Sequence, residues 1–113
     1  MKTHILTVWF AALLLLVACQ TLNGPQTLQD RIQYAKASVT TSYRTIGSLA
    51  QRGRITKAEG KKLITDADTV KTSILVAEAS LNGGDIPNAA TALDLATRGL
   101  VALEAYLKTK EGQ

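Results

Sequence analysis

The sequence predicts an all-α fold: an up-down-up antiparallel three-helix bundle over residues 26–113. Three observations predict it. Apolar and small residues recur at alternating spacings of four and three along three stretches, the period that gathers side chains on one helix face. Two breaker clusters, around Gly53 and at Asn82-Gly83-Gly84, interrupt that period. Each is followed by a polar residue suited to capping a new helix.

The first helix is expected over about 26–52. Leu28, Ile32, Ala35, Val39, Ser42, Ile46 and Leu49 form its seam, with β-branched Ile32, Val39 and Ile46 alternating with smaller residues or Leu. Ser38, Thr40, Thr41, Ser42 and Thr45 are weak helix formers that would suit a strand, and the period decides for helix. Gly53, between Arg52 and Arg54, ends the element.

Thr56 followed three residues later by Glu59 reads as a capping box and opens the second helix, over 57–82. Its seam is Leu63, Ala67, Val70, Ile74, Ala77 and Leu81. Asp85 as N-cap and Pro87 in the first turn start the third helix, over 86–109, with Ile86, Ala89, Leu93, Ala96, Leu100, Leu103 and Leu107 facing inward. Helices of about 24 residues are about 36 Å long. Turns as short as these make sequential helices antiparallel neighbours.

The core so defined is thin. Ala35, Ser42, Ala67, Ala77, Ala89 and Ala96 bury little apolar area, and only 4% of the chain is aromatic. A partner helix or a second copy of the chain would complete such a core. Tyr34, Tyr43 and Tyr106 flank the seams and are expected to widen it at the edge, hydroxyls toward water. Gly47 and Gly99 fall inside helices at a cost of about 1 kcal/mol each relative to Ala. Close packing and drift both account for them.

Ahead of the bundle, Lys2 precedes an apolar run from Ile5 to Val17, short for a span needing about 20 apolar residues. A basic start, a short apolar stretch and small residues ahead of a cut point to a secretory signal over 1–18, cleaved after Ala18. Leu16-Val17-Ala18-Cys19 resembles the lipobox of a bacterial lipoprotein signal peptide. That resemblance implies that Cys19 becomes the first residue of the mature chain and carries acyl chains on its sulfur and amino group. Two or more such chains, at about 0.8 kcal/mol per buried methylene, hold stably. In lipoproteins of this kind an Asp after the Cys retains the protein at the inner membrane. Gln20 stands there, so the resemblance implies the outer membrane, facing the periplasm. Residues 19–25, with the breaker Asn23-Gly24-Pro25, read as lipidated Cys and tether.

Composition narrows the function further. Removing residues 1–18 from a 113-residue chain leaves room for one small domain. Loss of Lys2 takes the net charge from +4 to +3, a modest excess that does not point to nucleic acid. His4 and Cys19, the only His and Cys, lie in or beside the signal. No His/Cys metal site, Cys-His nucleophile or disulfide is therefore expected in the mature domain. Asp66 and Asp68, two apart on a helix, point to different sides and cannot pair for acid–base work. Neither an enzyme, a metal nor a cofactor is expected, beyond the covalent lipid on Cys19.

The least symmetric feature is basic. Arg44, Arg52, Arg54, Lys57, Lys61 and Lys62 surround the first turn against Glu59 alone, and the fold brings Lys108 and Lys110 to the same pole. Lys57, Lys61 and Lys62 near a helix N-terminus oppose its dipole, which local structure does not repay. Arg52, Arg54, Lys57, Lys61 and Lys62 are thus candidates for contact with an anionic surface, such as the cell wall or a facing membrane. An ordinary solvated loop accounts for the same charges. The expected protein is lipid-anchored and periplasmic, with a structural or accessory envelope role exercised through protein or cell-wall contact. The alternative is a small inhibitory or exclusion lipoprotein, of the kind phages and plasmids carry, that binds one envelope protein.

Overall fold

The computed structural model describes residues 27–112. Cys19, the lipobox residues Leu16, Val17 and Ala18, and the tether lie outside the described residues. Three helices make up the described chain: α1 (Leu28–Gln51), α2 (Lys57–Asn82) and α3 (Ile86–Glu111). All three pack on one another, and the all-α three-helix bundle expected from the sequence is the fold.

Each helix starts on a side chain that accepts a free backbone N–H of its first turn. The Thr27 hydroxyl accepts from Asp30 N at 3.2 Å, which sets the start of α1 at Leu28 rather than 26. Thr56 and Glu59 close the full capping box at α2, and Asp85 accepts from Asn88 N at 3.2 Å, with Pro87 in the first turn of α3. α3 runs on to Glu111, where Lys108 and Lys110 in its last turn suit the negative end of the helix dipole.

Contacts between helices fix their directions. Lys36 pairs with Glu78 and Tyr43 with Asp68, so α1 and α2 run antiparallel. Ser80 meets Asn88 at one end of the α2–α3 pair, and Glu59 meets Tyr106 at the other. Arg31 reaches Asp94 at 3.5 Å, placing the starts of α1 and α3 at the same pole. The topology is up-down-up.

The core follows the seams. Ile32, Ala35, Val39, Ser42, Ile46 and Leu49 of α1 are buried, as are Leu63, Ala67, Val70, Ile74 and Ala77 of α2. From α3 come Ala89, Leu93, Ala96, Leu100, Leu103 and Leu107, joined by Ala92. Ile32, Ile46, Leu49, Ile74 and Leu93 are the largest fully buried side chains, and burial of each contributes about 1.5–3 kcal/mol. The Ser/Thr-rich stretch stays helical because its hydroxyls bond within the helix: Thr40 to Lys36 O, Thr41 to Ala37 O and buried Ser42 to Ser38 O.

Three expectations need correction. Ile86 is 50% exposed rather than inward-facing; as the first residue of α3 it stands at the end of the bundle, beyond full cover by its neighbours. Tyr34 is 74% exposed and widens no core, whereas Tyr43 does pack against it. The hydroxyls of Tyr43 and Tyr106 donate to carboxylates, Asp68 and Glu59. Close packing accounts for one of the two helical glycines. A Cβ on Gly99 would lie 2.9 Å from Val70 Cγ2, while one on Gly47 would meet nothing within 4 Å. Among the described residues no helix is long and apolar enough to cross a membrane.

Candidate functional site

The site is built at the pole where α1 ends, α2 begins and α3 ends. After α1, Gly53 takes a left-handed φ of 69°, which a residue without Cβ adopts at no steric cost. The N–H of Arg54 then bonds Leu49 O at 2.9 Å and that of Gly53 bonds Ala50 O at 3.1 Å, closing the helix end. Ile55 follows at 6% exposure and plugs the turn into the core, its Cδ1 lying over the first turn of α2 near Gly60. With Ile55 turned inward, Arg52 and Arg54 on either side of Gly53 stand in water, as do Lys57, Lys61 and Lys62 on α2. None of these five side chains forms an ion pair among the described residues. Arg52 Nε does reach back to Ser48 O at 3.4 Å, which suits a cation at a helix C-terminus. The pole therefore gathers the basic residues the sequence singled out and leaves them accessible.

Glu59, the acid among them, is occupied elsewhere. Its Oε1 accepts the Thr56 backbone N–H at 3.2 Å, and its Oε2 accepts the Tyr106 hydroxyl at 2.9 Å and lies 3.3 Å from Lys110 Nζ. Lys110 also lies over the Tyr106 ring, 5.5 Å from its centre. The Thr56 N–H first, then Tyr106 and Lys110, hold the Glu59 carboxyl down at about 2. The bond to Glu59 in turn raises Lys110 above the ordinary lysine value. Glu59 thus stays anionic, clasps the end of α3 to the start of α2, and balances Lys110 rather than the exposed five.

Beside this clasp, α2 and α3 leave an open groove of about 380 Å³. Leu63, Val70, Gly99 and Leu103 form its apolar floor, and Glu59, Lys62, Asp66 and Tyr106 its polar rim. Only Lys62 of the five exposed cations borders it. Asp68, in contrast to Asp66, turns to α1, where its carboxylate accepts from Tyr43. The two aspartates are kept apart, as their spacing required. Burial, and then that bond, push the Tyr43 hydroxyl up to about 12. On the other side of the bundle, a groove of about 360 Å³ is lined by Ser38, Thr41, Ser42 and Thr45 against Glu104, Leu107, Lys108 and Glu111. Among the described residues no group of His, Cys, Asp and Glu is placed to hold a metal ion.

Comparison of the chain with protein-family models, with curated proteins and with solved structures finds no match. The reading of this site rests on its own geometry. Sequence reasoning found the exposed cations and the capping box but missed the Tyr106 and Lys110 arms of the Glu59 clasp, the Ile55 plug and the α2–α3 groove. Ile55 carried a signal that went unused: it is the lone large apolar residue between the two helix seams at that turn. The clasp carried none, since Tyr106 lies 47 residues from Glu59.

Proposed function

We propose that this protein is a lipid-anchored helical contact module of the bacterial envelope, attached through Cys19 to the outer membrane, facing the periplasm, and acting by binding rather than catalysis. The observation that carries the reading is Leu16-Val17-Ala18-Cys19 directly after the apolar run from Ile5 to Val17. A three-helix bundle suits a structural or accessory role through protein or cell-wall contact, and the exposed cations at one pole suit contact with an anionic surface of the envelope, the wall or a facing membrane. Intact mass and membrane fractionation of the wild type beside Cys19→Ser test the reading. The expected result is a wild-type mass carrying acyl groups in the membrane fraction, and loss of both in the variant. An unacylated, freely soluble wild type would overturn it.

The α2–α3 groove favours a second reading, an inhibitory or exclusion lipoprotein that seats a helix of one envelope protein on Leu63, Val70 and Leu103. Crosslinking in cells separates the two. One dominant protein adduct from a probe beside the groove supports the inhibitor, and wall-associated material without an adduct supports the structural role.

A further inference from the structure

We propose that the pole formed by the α1–α2 turn is an electrostatic docking site for the surface of an anionic phospholipid bilayer, a second membrane contact at the end of the bundle remote from Thr27. The inference deepens the envelope reading by naming a partner, and it rests on that reading only for the identity of the first membrane.

Four features of the pole carry it. Arg52, Arg54, Lys57, Lys61 and Lys62 are all exposed, and none is neutralised by an ion pair among the described residues. Glu59, the carboxylate set among them, is taken up by Thr56, Tyr106 and Lys110 and pairs with none of the five. The other pole contrasts with this one. There Asp30 lies in the first turn of α1, Asp85 caps α3, and Arg31 is paired with Asp94. Finally, the five cations are spread over the outside of a turn and the first turns of a helix. Charges carried on two separate stretches of backbone, the turn and the start of α2, suit an extended anionic surface rather than one small anion. A fluid bilayer meets them, because anionic headgroups diffuse to wherever the cations stand, whereas a cross-linked wall would have to offer matching charges at fixed spacing. Stacked nucleic-acid bases would need free aromatic faces, and Tyr106, the ring nearest the pole, is engaged by Glu59 and Lys110.

The dimensions suit a tie between two surfaces. A helix of 24 residues is about 36 Å long. A seven-residue tether spans at most about 25 Å, which caps the distance from an anchored Cys19 to the pole at roughly 60 Å. Near an anionic membrane each Lys or Arg raises the partition coefficient about fivefold, and the attraction is screened within a Debye length.

The test is flotation of the mature chain, residues 19–113 bearing Cys19→Ser, with vesicles of phosphatidylglycerol and phosphatidylcholine, beside vesicles of phosphatidylcholine alone. Two pole variants are compared, one with Arg52, Arg54, Lys57, Lys61 and Lys62 all changed to Glu, the other with all five changed to Gln. The unaltered pole is expected to bind the anionic vesicles and to lose binding steeply with salt. The Glu variant falls by at least about 100-fold and the Gln variant lies between, with helical circular dichroism unchanged in the Gln variant. The proposal is overturned if the Gln variant, folded, floats with anionic vesicles as well as the parent, or if the parent binds isolated cell wall and ignores the vesicles. Acylation of wild-type Cys19, read by mass, is scored separately. An unacylated chain with charge-dependent flotation sinks the anchor and keeps the docking pole; an acylated chain with charge-independent flotation does the reverse.

Discussion

The α1–α2 turn and the α2–α3 turn share one backbone device and differ in nearly every side chain. In both, a glycine takes a left-handed φ, 69° at Gly53 and 81° at Gly84. In both, the following N–H bonds a carbonyl five residues back, Arg54 to Leu49 and Asp85 to Ser80, while the glycine N–H bonds the carbonyl three back. A capping side chain then starts the next helix, Thr56 in one and Asp85 in the other. The first turn adds a buried plug, Ile55, and surrounds it with cations. In the second, the cap follows the glycine directly, Asp85 supplies the charge, and the next apolar residue, Ile86, is left half exposed. Chain reversal is thus settled by glycine and cap alone. Beyond that, the first turn holds a buried apolar anchor and, around it, exposed cations that are available for a surface.

The largest test of this difference is Ile55→Ala. Truncating a residue at 6% exposure is expected to cost about 2–4 kcal/mol in chemical denaturation, whereas Ile86→Ala is expected to cost less than about 1 kcal/mol. Equal losses would mean that the plug is not what distinguishes the two turns. Next come Gly53→Ala and Gly84→Ala, each expected to lose about 1–2 kcal/mol because a Cβ in the left-handed region is strained. Neither site has an atom within 4 Å of the added Cβ, so the two losses should match, and a clear disparity would show that the turns differ in backbone as well.

A pH titration of stability sharpens the comparison. Glu59 is ionised in the folded state down to about 2, against an ordinary glutamate value of about 4.3 in the unfolded chain. Its contribution is therefore complete above about pH 4.3 and is lost as pH falls toward 2. Glu59→Gln is expected to flatten that acid limb, measured by denaturant midpoints from pH 5 to 2. Tyr43 gives the opposite limb. Held protonated up to about 12, against about 10 when unfolded, it contributes stability that is present below pH 10 and lost as pH rises through 12, and Tyr43→Phe should remove that loss. The smallest expected change is a gain. Lys57→Glu places an acid in the first turn of α2, where the helix dipole favours it, and should raise stability by about 0.3–1 kcal/mol while weakening the pole's hold on anionic vesicles.

Much of the fold was legible because its signals are local. The seams of α1 and α2 were read correctly residue by residue except at their half-buried ends, Leu28 and Leu81. The capping box at Thr56 and Glu59 and the Asp85 cap with Pro87 were read as they stand. The candidate site was legible only as charge. Arg52, Arg54, Lys57, Lys61 and Lys62 are visible in the sequence, but that Glu59 does not balance them follows from its partners on α3, which no local spacing encodes. Gly99 shows the same limit from the other side. In sequence it is a mid-helix glycine like Gly47, and the approach of Val70 distinguishes them.

The chain's period, breakers and caps by themselves determined three helices, their ends within two residues, their inward faces and their alternating directions, because each rests on hydrogen bonds and side-chain spacing within a few residues. Tertiary structure alone decided in what register each helix lies against its neighbours. On that depended the clasp of Glu59 by Tyr106 and Lys110, the groove above Gly99 and the exposure of Ile86. The physical reason is that contacts between residues 25 to 63 positions apart turn on the packing of whole helix faces, to which every residue of the seam contributes and no short motif corresponds.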